Sequence, residues 1–389
     1  MKILCVGGGP AGLFFALLVK RRHPEMDVEV RERDGRESVQ GWGVVLWDDG
    51  FDDVFAADPP TGQALAAACY EWHGMRVDRR DDSVFDPEPR GFAIARQRLL
   101  ALLIERAQQV GVLVRFDREV DPAALPDADL VVAADGVHSR LRRAHVETFG
   151  PLSSPSQNRY VWLGATKCFD SFTFAFVESE AGWLWCHAYG HAPDRSTFIV
   201  ECQPETWRGL GLGALATQET LDLLQRLFAK QLDGAELLAL PGAGDAMTWQ
   251  RFSTLTNRTW HHQNLVLTGD AAHTTHFSIG SGTKLALQDA IGLADSLELD
   301  ISLAAALTDY EQRRRREIER AQRDAQHSLR WLEELPRYSD RPMEEFVDLL
   351  HRRRSSLQGR IAPGAYLRLR RVADGRSALR RSWDRVRSG

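Results

Sequence analysis

The stretch Lys2-Ile3-Leu4-Cys5-Val6-Gly7-Gly8-Gly9-Pro10-Ala11-Gly12 decides how this chain folds. Lys2–Val6 is a short apolar run that predicts a buried strand, and Gly7–Gly12 is a turn with G-x-G-x-x-G spacing. Leu13–Lys20 is apolar enough for a buried helix, and Val28–Arg31 begins a second strand. That is βαβ order, and it predicts a parallel sheet. Gly7 permits the tight turn, Gly9 lets the backbone approach a pyrophosphate, and Gly12 lets the helix pack on the strand. The helix N-terminus at Pro10 and Ala11 then faces the anion. Glu32 follows Gly12 by twenty residues, where an acid can accept a hydrogen bond from a ribose hydroxyl. Strand, turn, helix and acid together predict a site for an ADP moiety, without separating FAD from NAD.

Working outward, Arg96–Val110 reads as an amphipathic helix with Leu99, Leu100, Leu103 and Ile104 on one face. Leu113–Phe116 and Leu130–Ala133 read as further strands of the same layer. From Tyr160 to Cys202 the chain alternates aromatic, β-branched and polar residues, which is antiparallel-sheet chemistry. Residues 217–232 read as a helix, 264–268 as a buried strand, and a long helix starts within Ser281–Lys284. The expected fold class is α/β: a Rossmann-type domain with an inserted antiparallel β-sheet substrate domain and a helical C-terminus. The expected division is 1–157 and 259–320 for the Rossmann-type domain, 158–258 for the sheet, and 321–389 for a helical, arginine-rich region.

Composition removes several classes. Of 389 residues, 43% are hydrophobic, enough for a large core, yet no run reaches the roughly 18–20 apolar residues of a membrane span. The N-terminus carries no secretory pattern. Five scattered cysteines without a CxxC pair fit a reducing cytoplasm and argue against a disulfide framework or a metal site. The net charge of −5 hides an asymmetry: residues 351–389 hold twelve arginines and two acids, so the rest of the chain carries −15. Such a tail suits nucleic acid, a membrane surface or a phosphate-bearing substrate, or is a solvated helix. The solvated helix is the simpler reading, and no nucleic acid or membrane partner is expected.

Two more motifs point to the flavin. Asp129-Leu-Val-Val-Ala-Ala-Asp135-Gly136-Val-His-Ser139-Arg-Leu-Arg142 resembles the DG motif of flavoprotein aromatic hydroxylases, and Gly269-Asp270-Ala271-Ala272-His273 resembles their GD motif. The stretches Gln40–Asp49, Tyr160–Gly164, Ser196–Cys202 and His276–Ala286 narrow the resemblance. They are similar to a subgroup holding salicylyl-CoA 5-hydroxylase, 2-aminobenzoyl-CoA monooxygenase and the violacein-pathway tryptophan hydroxylase. This resemblance implies FAD as cofactor, with Asp270 at the riboflavin moiety and Arg96 at the pyrophosphate, where a bidentate guanidinium suits the task. It extends the cofactor set to Arg33, Gly43, Asp135, Gly136, Gly269, Gly280, Gly282, Thr283 and Lys284. The helix opening at Gly280-Ser281-Gly282 brings N–H groups to the pyrophosphate or the flavin. The family's usual proline after the GD motif is replaced here by His276-Phe277.

In that family NADH or NADPH reduces the flavin, O2 adds at C4a, and the hydroperoxide hydroxylates an electron-rich ring. The protein orients the ring and excludes water. No second G-x-G-x-x-G marks a nicotinamide domain, which fits transient binding of the reductant. His276, His187 and Tyr189 are candidates for deprotonating a phenol or orienting an amine, with His276 preferred. Trp42, Trp47, Phe174, Trp185 and Phe277 are candidates for an aromatic pocket with His187 and Tyr189. Phe172, Phe174 and Phe176 alternate, and also read as one core face of a strand. The subgroup implies an aryl-CoA thioester such as salicylyl-CoA as substrate. An indole or tryptophan-derived aromatic, an O2-independent flavin oxidoreductase and a flavin-binding regulator are the alternatives. A monomer or homodimer is expected. For a CoA substrate, Arg352, Arg353, Arg354, Arg368, Arg370 and Arg371 are candidates to meet its phosphates.

Overall fold

The computed structural model describes residues 1–38, 41–242 and 244–354. Its first layer is a six-stranded sheet in the order His261–His262, Leu265–Leu267, Leu130–Ala133, Lys2–Val6, Asp27–Arg31, Leu113–Arg115. All pairings are parallel except that of the short His261–His262 edge. Ile3, Leu4, Cys5 and Val6 are buried, as befits a strand covered on both faces. The helix Pro10–Arg22 is buried continuously from Pro10 to Val19, between the sheet and the helices Arg96–Gln109 and Gly282–Leu297. A helix apolar all round is what such an enclosed position requires. The strand order reverses at Lys2–Val6, whose neighbours lie on opposite sides. In open α/β sheets a ligand crevice forms at such a point, outside the carboxyl ends of the strands.

The second layer has eight strands, in the order Leu237–Leu238, Arg159–Ala165, Arg195–Cys202, Gly182–Ala192, Phe172–Ser179, Tyr70–Arg79, Asp82–Ala95, Gly43–Leu46. It is antiparallel except where Phe172–Ser179 runs parallel to Tyr70–Arg79. Three of its strands thus come from residues 43–95, where sequence patterning gave no strand. The reason is visible in the outer part of the Tyr70–Ala95 hairpin, which is charged and exposed and lacks apolar alternation. The helix expected over 217–232 is broken at Phe228 into Thr217–Leu227 and Ala229–Leu232, where the buried Phe228 ring packs against Phe198.

The two faces of this sheet have separate cores. Val161, Leu163, Ala175, Phe198 and Val200 face Leu221, Leu224 and Phe228. Phe172, Phe174, Phe176 and Trp185 face Trp331, Leu332, Phe346 and Leu350 from the helices Leu303–Glu333 and Met343–Arg352. The alternating phenylalanines therefore form a core face beneath the C-terminal helices. The helical C-terminal region is seen as far as residue 354; the remaining tail lies outside the described residues. Among the described residues no helix is long and apolar enough to cross a membrane, and no cluster of three His, Cys, Asp or Glu could hold a metal.

Candidate active site

The three sequence motifs leave the carboxyl ends of adjacent parallel strands. Gly7 has φ +110°, and a Cβ there would collide with the carbonyl of Ala134, so the first motif touches the DG loop directly. A Cβ on Gly12 would strike the Gly7 carbonyl. At Gly9 nothing lies within 4 Å of where a Cβ would stand, so that side of the loop is open to a ligand. Pro10 opens the helix, whose first N–H groups have no acceptor within the helix. Glu32 accepts from Gly8 N–H at 2.6 Å through Oε2 and from Asp34 N–H at 3.0 Å through Oε1. Arg33 is exposed, 3.4 Å from Asp34.

Arg96 joins this loop to the GD motif. Its Nε is buried without a partner, and burial lowers its pKa while Asp270 and Glu32 oppose that shift. Asp270 is open to solvent by area, yet the protein around the cleft desolvates it enough to raise its pKa against His273 and Arg96. Gly269, at φ +58°, closes on Ala11, and its N–H donates to Asp289 Oδ2 at 3.1 Å. Asp289 also meets His273 Nε2 at 2.6 Å and accepts from Arg314 Nε at 2.8 Å. Burial would raise the Asp289 carboxyl, but His273 and Arg314 hold it below the usual range. Asp135 Oδ2 accepts from Arg140 N–H at 2.7 Å at the start of the helix Arg140–Ala144, which Ser139 caps, and its Oδ1 is buried and unpartnered. Gly136 takes φ +78° in the same turn, and Arg142 donates to Ala271 O at 2.9 Å, tying the DG loop to the GD loop. Sequence reasoning missed Asp289, whose one available signal was a lone acid in the apolar run Leu285–Ala294; Arg142 closed the DG motif with no role assigned to it.

The loop after the GD motif closes the other side. Gly280, at φ +63°, lets the Trp47 indole approach, and Trp47 Nε1 donates to Gly280 O at 3.1 Å. The helix then starts at Gly282, so the N–H groups of Gly282, Thr283 and Lys284 belong to its first turn. Gly43 is a buried joint: its N–H donates to Thr197 Oγ1 at 2.8 Å, and its carbonyl accepts from the Tyr189 hydroxyl at 3.0 Å. Burial pushes the Tyr189 hydroxyl above its ordinary range.

Across the cleft stands an aromatic wall. Trp42, Trp47 and Phe277 are half-buried, whereas Phe174, Trp185, His187 and Tyr189 are buried behind them. Tyr160 and Trp162, given no pocket role from sequence, are also half-buried; Tyr160 lies 4.8 Å from the Phe277 ring. Burial, with Glu201 and Asp270, pushes the Tyr160 hydroxyl up to about 12. Trp42 lies over Gly164 and Trp162 over Gly41. Burial pushes His187 down to about 3 and His276 to about 4, so both imidazoles are neutral near pH 7. His276 Nδ1 accepts from Ser278 N–H at 3.3 Å. Of the tail arginines, Arg352 and Arg353 are buried rather than poised for phosphates, Arg352 being paired with Asp348. Arg368, Arg370 and Arg371 lie outside the described residues.

The orphaned Arg96 Nε, the open side of Gly9 and the cleft-facing Asp270 fit the pyrophosphate and sugar hydroxyls of a flavin dinucleotide. The FAD binding domain family matches residues 72–325. The chain is 41% identical over 353 residues to salicyloyl-CoA 5-hydroxylase of Streptomyces sp, covering 87% of this chain and 66% of that protein. It is 38% identical over 360 residues to 3-hydroxy-4-methyl-anthranilyl-[aryl-carrier protein] 5-monooxygenase of Streptosporangium sibiricum, covering 92% and 96%. Among solved structures, the tetrameric form of 2-methyl-3-hydroxypyridine-5-carboxylic acid oxygenase shares the fold with a TM-score of 0.69 at 19% identity, covering 88% of this chain and 93% of that one. The chain belongs to the FAD-dependent aromatic monooxygenases.

Proposed function

We propose that this enzyme hydroxylates an electron-rich aromatic ring carried as a thioester, with an aryl-CoA such as salicylyl-CoA as substrate and NADH or NADPH as reductant. The observation that carries the reading is the half-buried ring pair of Tyr160 and Phe277, 4.8 Å apart, with Tyr160 near enough to Asp270 to feel its charge. An aromatic wall beside a flavin site positions a planar ring by stacking and excludes water from it. The thioester is supported by the two relatives above, whose names place an aryl group on CoA or on a carrier protein. Bound FAD supplies the redox chemistry, taking electrons from the nicotinamide and passing them to O2. The chain's part is to hold the pieces. The Gly7–Gly12 backbone and Arg96 bind the pyrophosphate, Glu32 the adenosine ribose, and Asp270 the hydroxyls on the flavin side. The first turn at Gly282–Lys284 offers N–H groups to the anionic or carbonyl oxygens of the cofactor.

The test is NADH and NADPH oxidation by FAD-loaded protein over salicylyl-CoA, 2-aminobenzoyl-CoA, their free acids and tryptophan, with product mass recorded. Hydroxylation of a thioester and not of its free acid supports the proposal. Hydroxylation of tryptophan alone favours the indole reading, and flavin turnover without oxygen transfer to any ring refutes monooxygenation of these substrates.

A further inference from the structure

Two charged side chains lie inside the cleft wall, and the hydrogen bonds that hold them come from neutral groups. Alternation along Arg195–Cys202 sends Phe198, Val200 and Cys202 to one core and Glu201 to the opposite face, beside its cross-strand partners Tyr160 and Trp185. Glu201 is 1% exposed; its Oε1 accepts from Asn158 Nδ2 at 2.8 Å and its Oε2 from Trp185 Nε1 at 3.0 Å. Arg353 is 7% exposed and lies 4.9 Å over the Phe174 ring. Its guanidinium donates to Ser328 Oγ at 3.0 Å, Leu350 O at 2.7 Å and Ser278 O at 3.0 Å. Holding a buried charge with neutral dipoles alone is costly, which asks what each charge is for.

The two are linked. Ser328 Oγ meets Ser278 Oγ at 2.8 Å, Ser278 Oγ meets His276 Nδ1 at 2.9 Å, and His276 Nε2 stands 3.9 Å from Glu201 Oε1. His187 flanks the same carboxylate at 3.6 Å and packs on Phe277 at 5.5 Å. The series runs under Phe277, the residue after His276, and its Arg353 end also grips the loop backbone at Ser278. The next two carbonyls are held as well, Ile279 O by Arg354 at 3.5 Å and Gly280 O by Trp47 at 3.1 Å. Three successive carbonyls are thus fixed from outside the loop just before the helix begins at Gly282.

We infer that Glu201 and Arg353 are the charged ends of a buried polar chain that positions Phe277 and the 278–280 loop against the flavin site, each end acting as counter-charge for the other. In a low-dielectric interior, oriented hydroxyls and an imidazole between opposite charges polarise in the same sense and strengthen one another. The pKa directions agree with two costly charges: burial raises Glu201, and burial together with Arg354 lowers Arg353 to about 9. Both are positioning residues, since neither reaches the cleft surface. The inference rests on FAD binding by the family and not on the thioester substrate.

The test is a double-mutant cycle on FAD-loaded protein with Glu201→Gln, Arg353→Met and the double variant, plus Arg353→Lys. The read-outs are FAD dissociation constant, flavin absorbance and fluorescence, and thermal midpoint. Glu201→Gln is accommodated because Asn158 Oδ1 is buried without a partner, so a rotated Asn158 amide can accept from the new glutamine. Each single variant is expected to weaken FAD binding about tenfold and alter the flavin spectrum, with the double variant closer to wild type than either single. Arg353→Lys should restore part of the loss. Additive losses overturn the inference, as do single variants that lower the thermal midpoint while leaving FAD affinity and spectrum unchanged. Should Arg353→Met fail to fold, Ser328→Ala cuts the chain with both charges in place; an unchanged flavin signal there overturns it. These read-outs need no substrate, so a failed thioester assay is a separate result.

Discussion

The two sides of the cleft handle charge in opposite ways. On the parallel-sheet side, Asp270 and Arg96 face the cleft, and Arg96 keeps an unpartnered nitrogen. On the eight-stranded side, Glu201 and Arg353 are closed off beneath aromatic rings, their hydrogen bonds filled by neutral partners. A ligand can complete the first pair and cannot reach the second. The difference separates groups that bind from groups that hold the binding surface in shape, and it can be broken at either side.

The largest effect belongs to the cofactor side. In Gly12→Val the new side chain meets the Gly7 carbonyl, and backbone has nowhere to go. Purified protein should carry no flavin, read as the ratio of flavin to protein absorbance; a full complement of FAD would mean the helix does not need this contact. Asp270→Asn comes next and should act in two directions. A lost charge-assisted hydrogen bond is worth roughly 1.5–3 kcal/mol, so FAD affinity should fall about ten- to a hundredfold. The apoprotein should melt higher, because the raised pKa of Asp270 marks a carboxylate that the fold desolvates at neutral pH. FAD affinity unchanged, or an apoprotein that melts lower, would remove Asp270 from the binding pair.

The wall gives a smaller, pH-dependent effect. His187 and His276 have folded pKa values near 3 and 4 against an ordinary 6.5, so the unfolded chain binds more protons as pH falls. Their contribution is present above about pH 6.5 and lost on acidification through that window, at about 1.4 kcal/mol per pH unit per proton. Glu201 is raised from 4.5 and works in the opposite sense, its protonated folded form offsetting part of the loss. Glu201→Gln should therefore make the stability of the apoprotein fall more steeply between pH 6.5 and 4.5, in denaturant melts at several pH values. A slope equal to or shallower than wild type would mean that Glu201 does not titrate against the histidines.

How much could be read from sequence follows the same divide. Gly7, Gly9 and Gly12 were readable because backbone geometry at a strand end demands particular residues at fixed spacing, whereas Gly269 and Asp270 came from the family resemblance of their motif. The central parallel strands Lys2–Val6, Leu130–Ala133 and Leu265–Leu267 were legible because burial on both faces makes them continuously apolar. The Tyr70–Ala95 hairpin was not, because its outer part is charged and exposed while its inner residues pair with strands a hundred residues away. Tyr160 and Glu201 became neighbours only through the pairing of Arg159–Ala165 with Arg195–Cys202. Phe174 and Trp185 looked like pocket residues because aromatic alternation is the same whether a ligand or a helix covers the face. The helices Leu303–Glu333 and Met343–Arg352 cover it here. Arg353 read as a candidate for the CoA phosphates because nothing in an arginine-rich tail marks the residue that turns inward.

The most direct test of the account is a single turnover of FAD-loaded protein with NADH and salicylyl-CoA under oxygen-18 gas, with the thioester product analysed by mass. One labelled oxygen is expected on the aromatic ring, with NADH consumed in proportion to product. NADH oxidation and flavin turnover with no label in the ring would contradict it.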